Sequence, residues 1–275
     1  MTEKIIENFK LSQICGSGQC FRMERIGEDT FRVLAGDRYL EARQQGMRCT
    51  FSCPEEEFAK FWQNYFDLEE DYGKYIRQIN PRDGYLTRAA AFGDGIRILR
   101  QDLWEMIVSF LISQQNNIVR IRRCIGNICE KYGEPRVNFR GEPYWAFPTP
   151  ESLAPLEEDE LKDCNLGYRS KYVVRAARAV VSGERDLEQI KGLPYRKARE
   201  ELLQFFGVGE KVADCICLFA LHQLEAFPVD THIRQALEAH YKRGFPNRRY
   251  RGCAGVMQQY IFYYELLGAK EERIE

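Results

Sequence analysis

Residues 206–215 contain the side chain best suited to chemistry. They read Phe-Gly-Val-Gly-Glu-Lys-Val-Ala-Asp-Cys, after an amphipathic run and before an apolar one. Lys211 therefore falls in the first turn of a predicted apolar helix, where the positive end of the helix dipole and the exclusion of water both oppose a charged ammonium group. A lysine that is neutral for these reasons is an amine nucleophile.

The glycines in front of Lys211 predict a tight hairpin between two helices. Gly207 and Gly209 are separated by one residue, Val208. Their lack of a side chain leaves the first amide groups of the next helix accessible to a phosphate group. Taken alone, the pattern is explained equally well by a turn that merely ends a helix.

Asp230 follows Lys211 by nineteen residues, within the segment Phe-Pro-Val-Asp-Thr-His at 227–232. It directly precedes another predicted helix, so its side chain can accept a hydrogen bond from the first amides of that helix. Capping by itself explains an aspartate at this position. A chemical role for Asp230 depends on its combination with Lys211.

Two hydrophobic patterns divide the chain and predict an α+β protein. Residues 21–51 alternate in short segments separated by glycines, which predicts antiparallel strands. After Pro54 the apolar spacing becomes helical. Predicted helices then cover 103–111, 118–132, 171–181, 198–206, 211–221, 232–241 and 255–267. We therefore expect a small N-terminal α+β domain with an antiparallel sheet over residues 1–84 and a larger all-helical domain over residues 85–275.

The composition is that of a globular protein with one large or two modest domains. The chain has 275 residues, of which 44% are hydrophobic and 13% aromatic. No stretch reaches the roughly 18 apolar residues of a membrane span, and the charged N-terminus lacks the core of a signal peptide. We expect a cytoplasmic protein, associated with the nucleoid in a bacterium or located in the nucleus of a eukaryote.

The charge pattern leaves the partner open. A net charge of −1 and a pI near 6.4 are unlike most nucleic-acid-binding domains, which have a pI above about 9. Basic residues nevertheless gather at 120–123, 169–178 and 242–251, while acidic clusters lie elsewhere. These basic runs could form a groove for phosphates or could be ordinary solvated helix faces.

The two motifs together resemble the 8-oxoguanine DNA glycosylase branch of the helix-hairpin-helix DNA glycosylases. The resemblance rests on Gly207-Val208-Gly209-x-Lys211-Val212-Ala213-Asp214-Cys215 and on Pro228-Val229-Asp230-x-His232. It implies a bifunctional enzyme of base excision repair, with an N-terminal TBP-like domain and a helix-hairpin-helix catalytic domain. In such an enzyme Lys211 attacks C1′ of the damaged nucleotide and forms a Schiff base that allows β-elimination. Asp230 stabilises the positive charge that develops on the sugar.

The resemblance also implies a pocket for a base that has been flipped out of the duplex. Gly18, in Ser-Gly-Gln-Cys-Phe-Arg at 17–22, would accept a hydrogen bond from N7–H of 8-oxoguanine through its carbonyl. Gln258 would read the edge of the base, Phe262 would stack on it, and Cys215 would line the opposite side. The same pocket is expected to include Phe219 and Pro228. An ordinary turn glycine and ordinary core packing are the alternative interpretations of Gly18 and Phe262.

A second set of residues is implied to contact DNA outside the pocket. Tyr168 would act as a wedge, Arg120 and Arg169 would read the orphaned cytosine, and Gln115 would fill the hole left by the flipped base. Further DNA contacts are expected at Gly207, Gly209 and His232. The chain departs from the family at 114–117, which reads Gln-Gln-Asn-Asn in place of Ser-Asn-Asn-Asn. Phe206 replaces a proline and Met23 replaces a tryptophan.

No cofactor is expected to be required. The ten cysteines show no disulfide framework and no Cys-x-x-Cys pair, so we expect reduced, buried thiols and no structural zinc. Relatives with an iron–sulfur cluster carry four closely spaced C-terminal cysteines, whereas this chain has only Cys253 there. The resemblance allows a structural monovalent cation, Na or K, on the carbonyls of Leu203, Phe205 and Val208.

The expected partner is double-stranded DNA with 8-oxoguanine opposite cytosine, bound by a monomer without any membrane association. Two alternatives remain at this stage. One is a related glycosylase for alkylated or other purines, which Lys211 and the implied pocket disfavour. The other is a hairpin module that binds DNA without catalysis, which would need neither Lys211 nor Asp230.

Overall fold

The computed structural model describes residues 1–268, and its N-terminal part is built on a five-stranded antiparallel sheet. The strands lie in the order β1-β5-β4-β3-β2. They are β1 (Thr2–Ile5), β2 (Met23–Arg25), β3 (Thr30–Ala35), β4 (Arg38–Gln45) and β5 (Arg48–Phe51). Alternate residues of β3 are buried, as the hydrophobic alternation predicted. The expected antiparallel strands are confirmed, whereas β1 was not predicted.

Helices cover the core side of this sheet. Helix α1 (Leu11–Gly16) precedes β2, and a helical run follows β5 through α2 (Glu55–Glu57), a π-turn at Phe58–Trp62 and α3 (Gln63–Tyr65). The helical spacing of apolar residues predicted after Pro54 corresponds to this run. Its rings pack on the sheet, with the Phe51 and Phe58 centroids 4.7 Å apart.

The larger part of the chain is mainly helical and has its own core. Its helices are α4 (Tyr72–Arg77), α5 (Gly84–Phe92), α6 (Leu103–Ser113), α7 (Ile118–Tyr132), α8 (Pro150–Leu153), α9 (Ser170–Val181), α10 (Leu187–Lys191), α11 (Tyr195–Leu202), α12 (Glu210–Phe219), α13 (Thr231–His240) and α14 (Ala254–Tyr263). Helix α6 lies at the centre, since its residues from Leu103 to Ile112 are all buried. The α+β fold and its predominantly helical second part are confirmed.

Two local differences from the expected elements have simple causes. The helix predicted over 198–206 begins and ends earlier as α11, because the chain must turn before Gly207, which has φ +91°. A short hairpin of β6 (Pro135–Val137) and β7 (Pro143–Trp145) interrupts the helices. It packs against the N-terminal sheet, where Tyr144 donates a hydrogen bond to the Asp37 carbonyl at 2.8 Å.

A buried ion pair also joins the sheet to the helices. Arg22 lies 3.4 Å from Glu105 on α6, and it donates hydrogen bonds to the carbonyls of Gly36 and Trp145. Burial raises the pKa of Glu105, and the positive charge of Arg22 opposes that rise.

All ten cysteines are buried and free. Within residues 1–268, no helix is long and apolar enough to cross a membrane.

Candidate active site and DNA interface

The hairpin between α11 and α12 has the geometry of a phosphate-binding turn. The Val208 amide donates to the Phe205 carbonyl at 3.0 Å, which closes the turn. A Cβ atom on Gly207 would lie 2.6 Å from the Tyr172 ring, so this position admits only glycine. Gly209 occupies the N-cap of α12 and brings no side chain to its first amides. Those amides remain available to an anion.

Lys211 lies in the first turn of α12, as predicted, and is half-buried. Its Nζ atom is 5.5 Å from the centroid of the Phe110 ring. Phe110 in turn stacks on Phe219 with centroids 5.6 Å apart, so Phe219 forms the layer behind the wall that Lys211 contacts. The amine therefore approaches an apolar surface on one side and the hairpin on the other.

Cys215 lies one turn after Lys211 and is buried. Burial raises the pKa of its thiol to about 11, although Lys211 acts in the opposite direction by charge and by a hydrogen bond. The charge of Asp230 adds to the rise. Lys211 therefore contacts this thiol, and the thiol stays neutral at physiological pH.

Asp230 caps α13. Its Oδ1 atom accepts a hydrogen bond from the Ile233 amide at 2.8 Å. The capping role considered from the sequence is therefore present. It fixes the carboxylate in orientation, and the second carboxylate oxygen can face a positive charge. Capping and chemistry are compatible at this residue.

The residues predicted for the base pocket come from distant parts of the chain and meet here. Gly18 has φ +72°, and a Cβ atom on it would lie 2.9 Å from the Phe262 ring. Phe262 also receives the edge of the His232 ring, with centroids 6.1 Å apart. Gly18 and Phe262 are therefore in direct contact, which the sequence separation alone could not reveal.

Gln258 and Pro228 are linked by a hydrogen bond in the same region. The Gln258 Nε2 atom donates to the Pro228 carbonyl at 2.9 Å, and its Oε1 atom accepts from Gln259 at 3.2 Å. The Gln258 side chain is 3% exposed. Its amide is held in a defined orientation, as a group that distinguishes the edges of bases must be.

Gln19 was missed by the sequence analysis, although it supports the loop that carries Gly18. It is fully buried, and its Nε2 atom donates to Ser17 Oγ and to the Arg97 carbonyl, each at 2.8 Å. Its Oε1 atom accepts from the Leu99 amide at 2.8 Å. The residue type gave no signal, because two of these three partners, Arg97 and Leu99, lie about 80 residues away.

The loop between α6 and α7 carries the predicted hole-filling residue. Gln115 has φ +47°, a conformation that few residues other than glycine adopt. Tyr168, the predicted wedge, is 43% exposed and its hydroxyl lies 3.4 Å from Gln115 Oε1. Arg120 is exposed and reaches the Asn165 carbonyl at 3.5 Å. These three side chains share one surface.

Arg169 lies beneath this loop and is 4% exposed. It donates to the Gln114 carbonyl through Nε at 2.8 Å and to the Gln115 carbonyl through Nη2 at 2.9 Å. In this conformation the guanidinium supports the loop, and cytosine reading by Arg169 stays a prediction. Gln114 adds a second tie, since its Nε2 atom donates to the Gly207 carbonyl at 3.0 Å.

The carbonyls predicted to hold a monovalent cation lie at the turn of the same hairpin. Leu203, Phe205 and Val208 all follow the end of α11. The Phe205 carbonyl, which accepts the Val208 amide, keeps a second lone pair. Backbone carbonyl oxygens suit a hard cation. The cation itself stays a prediction.

Two family descriptions match consecutive parts of the chain. The description "8-oxoguanine DNA glycosylase, N-terminal domain" matches residues 3–107. The description "HhH-GPD superfamily base excision DNA repair protein" matches residues 108–246, which include the hairpin, Lys211 and Asp230.

A solved relative matches over nearly its full length. The 8-oxoguanine glycosylase/lyase of Clostridium acetobutylicum in its apo-form is 39% identical, and the match covers 95% of this chain and 94% of that chain with a TM-score of 0.89. The same enzyme in complex with double-stranded DNA containing cytosine opposite to 8-oxoG is 37% identical. That match covers 99% of this chain and 98% of the other with a TM-score of 0.90.

Two further relatives extend the comparison to other organisms. The N-glycosylase/DNA lyase of Saccharomyces cerevisiae is 38% identical over 159 residues, or 54% of this chain and 42% of that protein. The probable N-glycosylase/DNA lyase of Methanothermobacter thermautotrophicus is 31% identical over 227 residues, or 72% of this chain and 71% of that protein. The match thus spans less than half the length of the yeast relative. The resemblance inferred from the two motifs is confirmed: this chain belongs to the HhH-GPD superfamily of base excision DNA repair proteins and carries an N-terminal domain of the 8-oxoguanine DNA glycosylase family.

Proposed function

We propose that this protein is a bifunctional DNA glycosylase and AP lyase that removes 8-oxoguanine from duplex DNA in base excision repair. The observation that carries the proposal is that an amine, a carboxylate and residues predicted for the base pocket lie in one region. Lys211 is in the first turn of α12 and Asp230 is the N-cap of α13, and both act by charge on the Cys215 thiol. Gly18 and Phe262, both predicted for the base pocket, are in direct contact.

The chemistry follows from these groups. In its deprotonated form, the Lys211 amine donates its lone pair to C1′ of the flipped nucleotide while the C1′–N9 bond breaks. The electron pair of that bond leaves with the base, which takes up the proton that the new C1′-bound nitrogen releases. The sugar ring then opens to a Schiff base between Nζ and C1′. Loss of a proton from C2′ breaks the C3′–O bond and cuts the strand. The Asp230 carboxylate stabilises the positive charge that builds on the sugar during the first step.

Base selection rests on one atom. N7 of 8-oxoguanine carries a hydrogen, whereas N7 of guanine carries a lone pair. A Gly18 carbonyl directed at N7 accepts a hydrogen bond from the damaged base and repels the normal one. A buried mismatch of this kind costs about 1–3 kcal/mol. The left-handed backbone at Gly18 and its contact with Phe262 leave little freedom for the carbonyl to turn away.

The DNA partner is proposed to be duplex with cytosine opposite the lesion, bound by a monomer. The first support is the surface that Gln115, Tyr168 and the exposed Arg120 share. The second is the related glycosylase/lyase whose structure contains DNA with cytosine opposite to 8-oxoG. The proposed location is the cytoplasm, at the nucleoid in a bacterium, or the nucleus in a eukaryote.

Borohydride trapping tests the proposal directly. Wild type, Lys211→Gln and a control variant, Lys131→Gln at the far end of α7, are incubated with a duplex that contains 8-oxoguanine opposite cytosine, and borohydride is added. We expect a covalent adduct with wild type and Lys131→Gln and none with Lys211→Gln, because only a Schiff base is reduced to a stable bond.

The other outcomes separate the alternatives. An adduct formed on an abasic duplex but not on the 8-oxoguanine duplex would keep the lyase chemistry and reject the proposed base. No adduct on either duplex would favour a module that binds DNA without catalysis. An adduct with Lys211→Gln that equals the wild-type adduct would assign the nucleophile to another amine.

A further inference from the structure

Helix α7 lies between the surface expected to face the opposite strand and the loop expected to read the damaged base. On one side of its first turns, the Nη2 atom of Arg120 lies 3.5 Å from the carbonyl oxygen of Asn165. Asn165 is three residues before Tyr168 in the sequence. On the other side, Arg122 donates from Nη2 to the Cys15 carbonyl at 2.9 Å. The two arginines are two residues apart and therefore leave the helix in different directions.

The contact made by Arg122 falls on the end of α1, which leads into the loop that carries Gly18. Cys15 lies at the end of α1, three residues before Gly18, and its Sγ atom is 3.8 Å from Arg122 Nη2 and 3.4 Å from the Met23 carbonyl. A second contact joins the same elements, since a Cβ atom on Gly18 would lie 3.9 Å from Ile118 in the first turn of α7. The start of the Gly18 loop is thus attached to α7 rather than only to its own sheet.

The Arg122 guanidinium is incompletely satisfied in this conformation. Its Nε atom is buried and makes no hydrogen bond within residues 1–268. A buried donor without a partner is unfavourable, so a conformation in which Nε gains an acceptor is stabilised relative to this one. A change in the orientation of the neighbouring loop that offers Nε an acceptor would therefore be stabilised through Arg122.

We propose that Arg122 is a positioning residue that couples recognition of the opposite base to the pocket for the damaged base. The inference rests on the proposed function. When Arg120 engages the orphaned cytosine it fixes the first turns of α7, and Arg122 on the same turns then holds the Gly18 loop in the orientation that accepts N7–H. A wrong opposite base leaves α7 less constrained and the loop less well oriented.

A double-mutant experiment tests this coupling. Single-turnover excision is measured on duplexes with 8-oxoguanine opposite cytosine and opposite adenine, for wild type, Arg120→Met, Arg122→Met and the double variant. We expect Arg122→Met to lower the rate of excision opposite cytosine about tenfold, which corresponds to about 1.4 kcal/mol. The ratio of the rate opposite cytosine to the rate opposite adenine should fall as well. The double variant should show the same ratio as Arg120→Met alone, because both changes interrupt one pathway.

Three further measurements separate coupling from a general structural role. Trapping on an abasic duplex should be unchanged in Arg122→Met, since that substrate has no base to recognise. Arg122→Lys keeps a charged donor and should recover part of the ratio, and it also preserves the test if Arg122→Met folds poorly. Arg136→Met, which removes the same charge from the exposed β6–β7 hairpin, should match wild type on every substrate.

Several results would overturn the inference. One is an Arg122→Met variant whose ratio of excision rates opposite cytosine and adenine equals that of the wild type. Another is a double variant whose ratio falls by the product of the two single effects. The third is an Arg122→Met variant that loses trapping on the abasic duplex as much as it loses excision of 8-oxoguanine. Absence of 8-oxoguanine excision by the wild type would overturn the proposed function together with the inference. If the wild type excises 8-oxoguanine but the Arg122 variants give any of these three results, the inference alone is overturned.

Discussion

At the scale of single residues, one substitution can separate the cap formed by Asp230 from the chemistry proposed for it. Its carboxylate caps α13, and under the proposed function it also supplies the negative charge that stabilises the sugar. Asparagine caps a helix about as well as aspartate but is neutral. We therefore expect Asp230→Asn to change the free energy of unfolding by less than about 0.5 kcal/mol and to lower excision of the base by about 100-fold.

The measurements are urea unfolding and single-turnover excision, with Asp186→Asn as the control. Asp186 caps α10 through the Glu188 and Gln189 amides, away from the site. The control should retain full activity. A large loss of stability in Asp230→Asn, or activity equal to that of the control, would contradict the division of roles.

Substitution of Gly18 is expected to affect both the stability of the protein and the excision of 8-oxoguanine. Alanine at Gly18 must adopt φ +72° and would bring its Cβ within 2.9 Å of Phe262. The backbone conformation alone costs about 1–2 kcal/mol for an L-residue. We expect Gly18→Ala to lose more stability than this and to excise 8-oxoguanine poorly, because Phe262 or the Gly18 carbonyl must move.

Gly36→Ala provides the matched control for Gly18→Ala. Gly36 has φ +58°, but a Cβ atom there meets no atom within 4 Å. The difference in unfolding free energy between the two variants isolates the steric contact with Phe262. If both variants lose the same free energy of unfolding, the Phe262 ring moves away from the added methyl group without destabilising the protein.

The sequence predicted the residues with a chemical signature and missed those that act through position. Lys211 and Asp230 were predicted as site residues because an amine at a helix start and a capping carboxylate are recognisable from their neighbours, and the structure places both at helix starts. Gln19 was not, since a glutamine has no distinctive pattern and its acceptor carbonyl at Arg97 is contributed by a remote segment. Roles that depend on distant backbone groups are decided by tertiary structure.

At the scale of elements, the hairpin between α11 and α12 offers a comparison within one turn. Gly207 has φ +91° and lies against the Tyr172 ring, whereas Gly209 has φ −96° and open space around it. We expect Gly207→Ala to lower the free energy of unfolding by at least about 2 kcal/mol and Gly209→Ala by less than about 1 kcal/mol. Urea unfolding of the two variants measures both values, and similar losses would reject the steric explanation.

Local periodicity predicted helices better than their ends. The predicted bounds of α7 agree with the structure, whereas the helix predicted over 198–206 ignored the turn required before Gly207. The β6–β7 hairpin was missed because its strands have three residues each and are mostly exposed. Such strands show no hydrophobic alternation, and they form because they pack on the N-terminal sheet.

At the scale of the whole molecule, a cluster around the buried carboxylate of Asp67 joins the N-terminal part to the end of α12. Asp67 is 3% exposed and lies 2.9 Å from Arg100 and 3.1 Å from His222, which follows α12. Tyr72 donates to the same carboxylate at 2.9 Å. Helix α12 is therefore held at both ends, by the hairpin at its start and by this cluster just beyond its end.

The cluster predicts how stability depends on pH. Burial alone would raise the pKa of Asp67, but the His222 hydrogen bond and the charges of His222 and Arg100 lower it below 3.8. A carboxyl group whose pKa is lower in the folded state stabilises the protein above its unfolded pKa, and this contribution disappears as the pH falls through the folded pKa. We expect Asp67→Asn to lower the free energy of unfolding by about 3 kcal/mol near neutral pH. The difference from wild type should shrink below about pH 4.

Urea unfolding of wild type and Asp67→Asn across this pH range measures the effect, with Asp71→Asn as the control. The pKa of Asp71 is also lowered, through a hydrogen bond from Arg77, but this pair is exposed and solvent screens it. Asp71→Asn should therefore follow the wild-type curve closely. A difference for Asp67→Asn that is independent of pH would show that packing of the side chain, rather than its charge, holds the two parts of the molecule together.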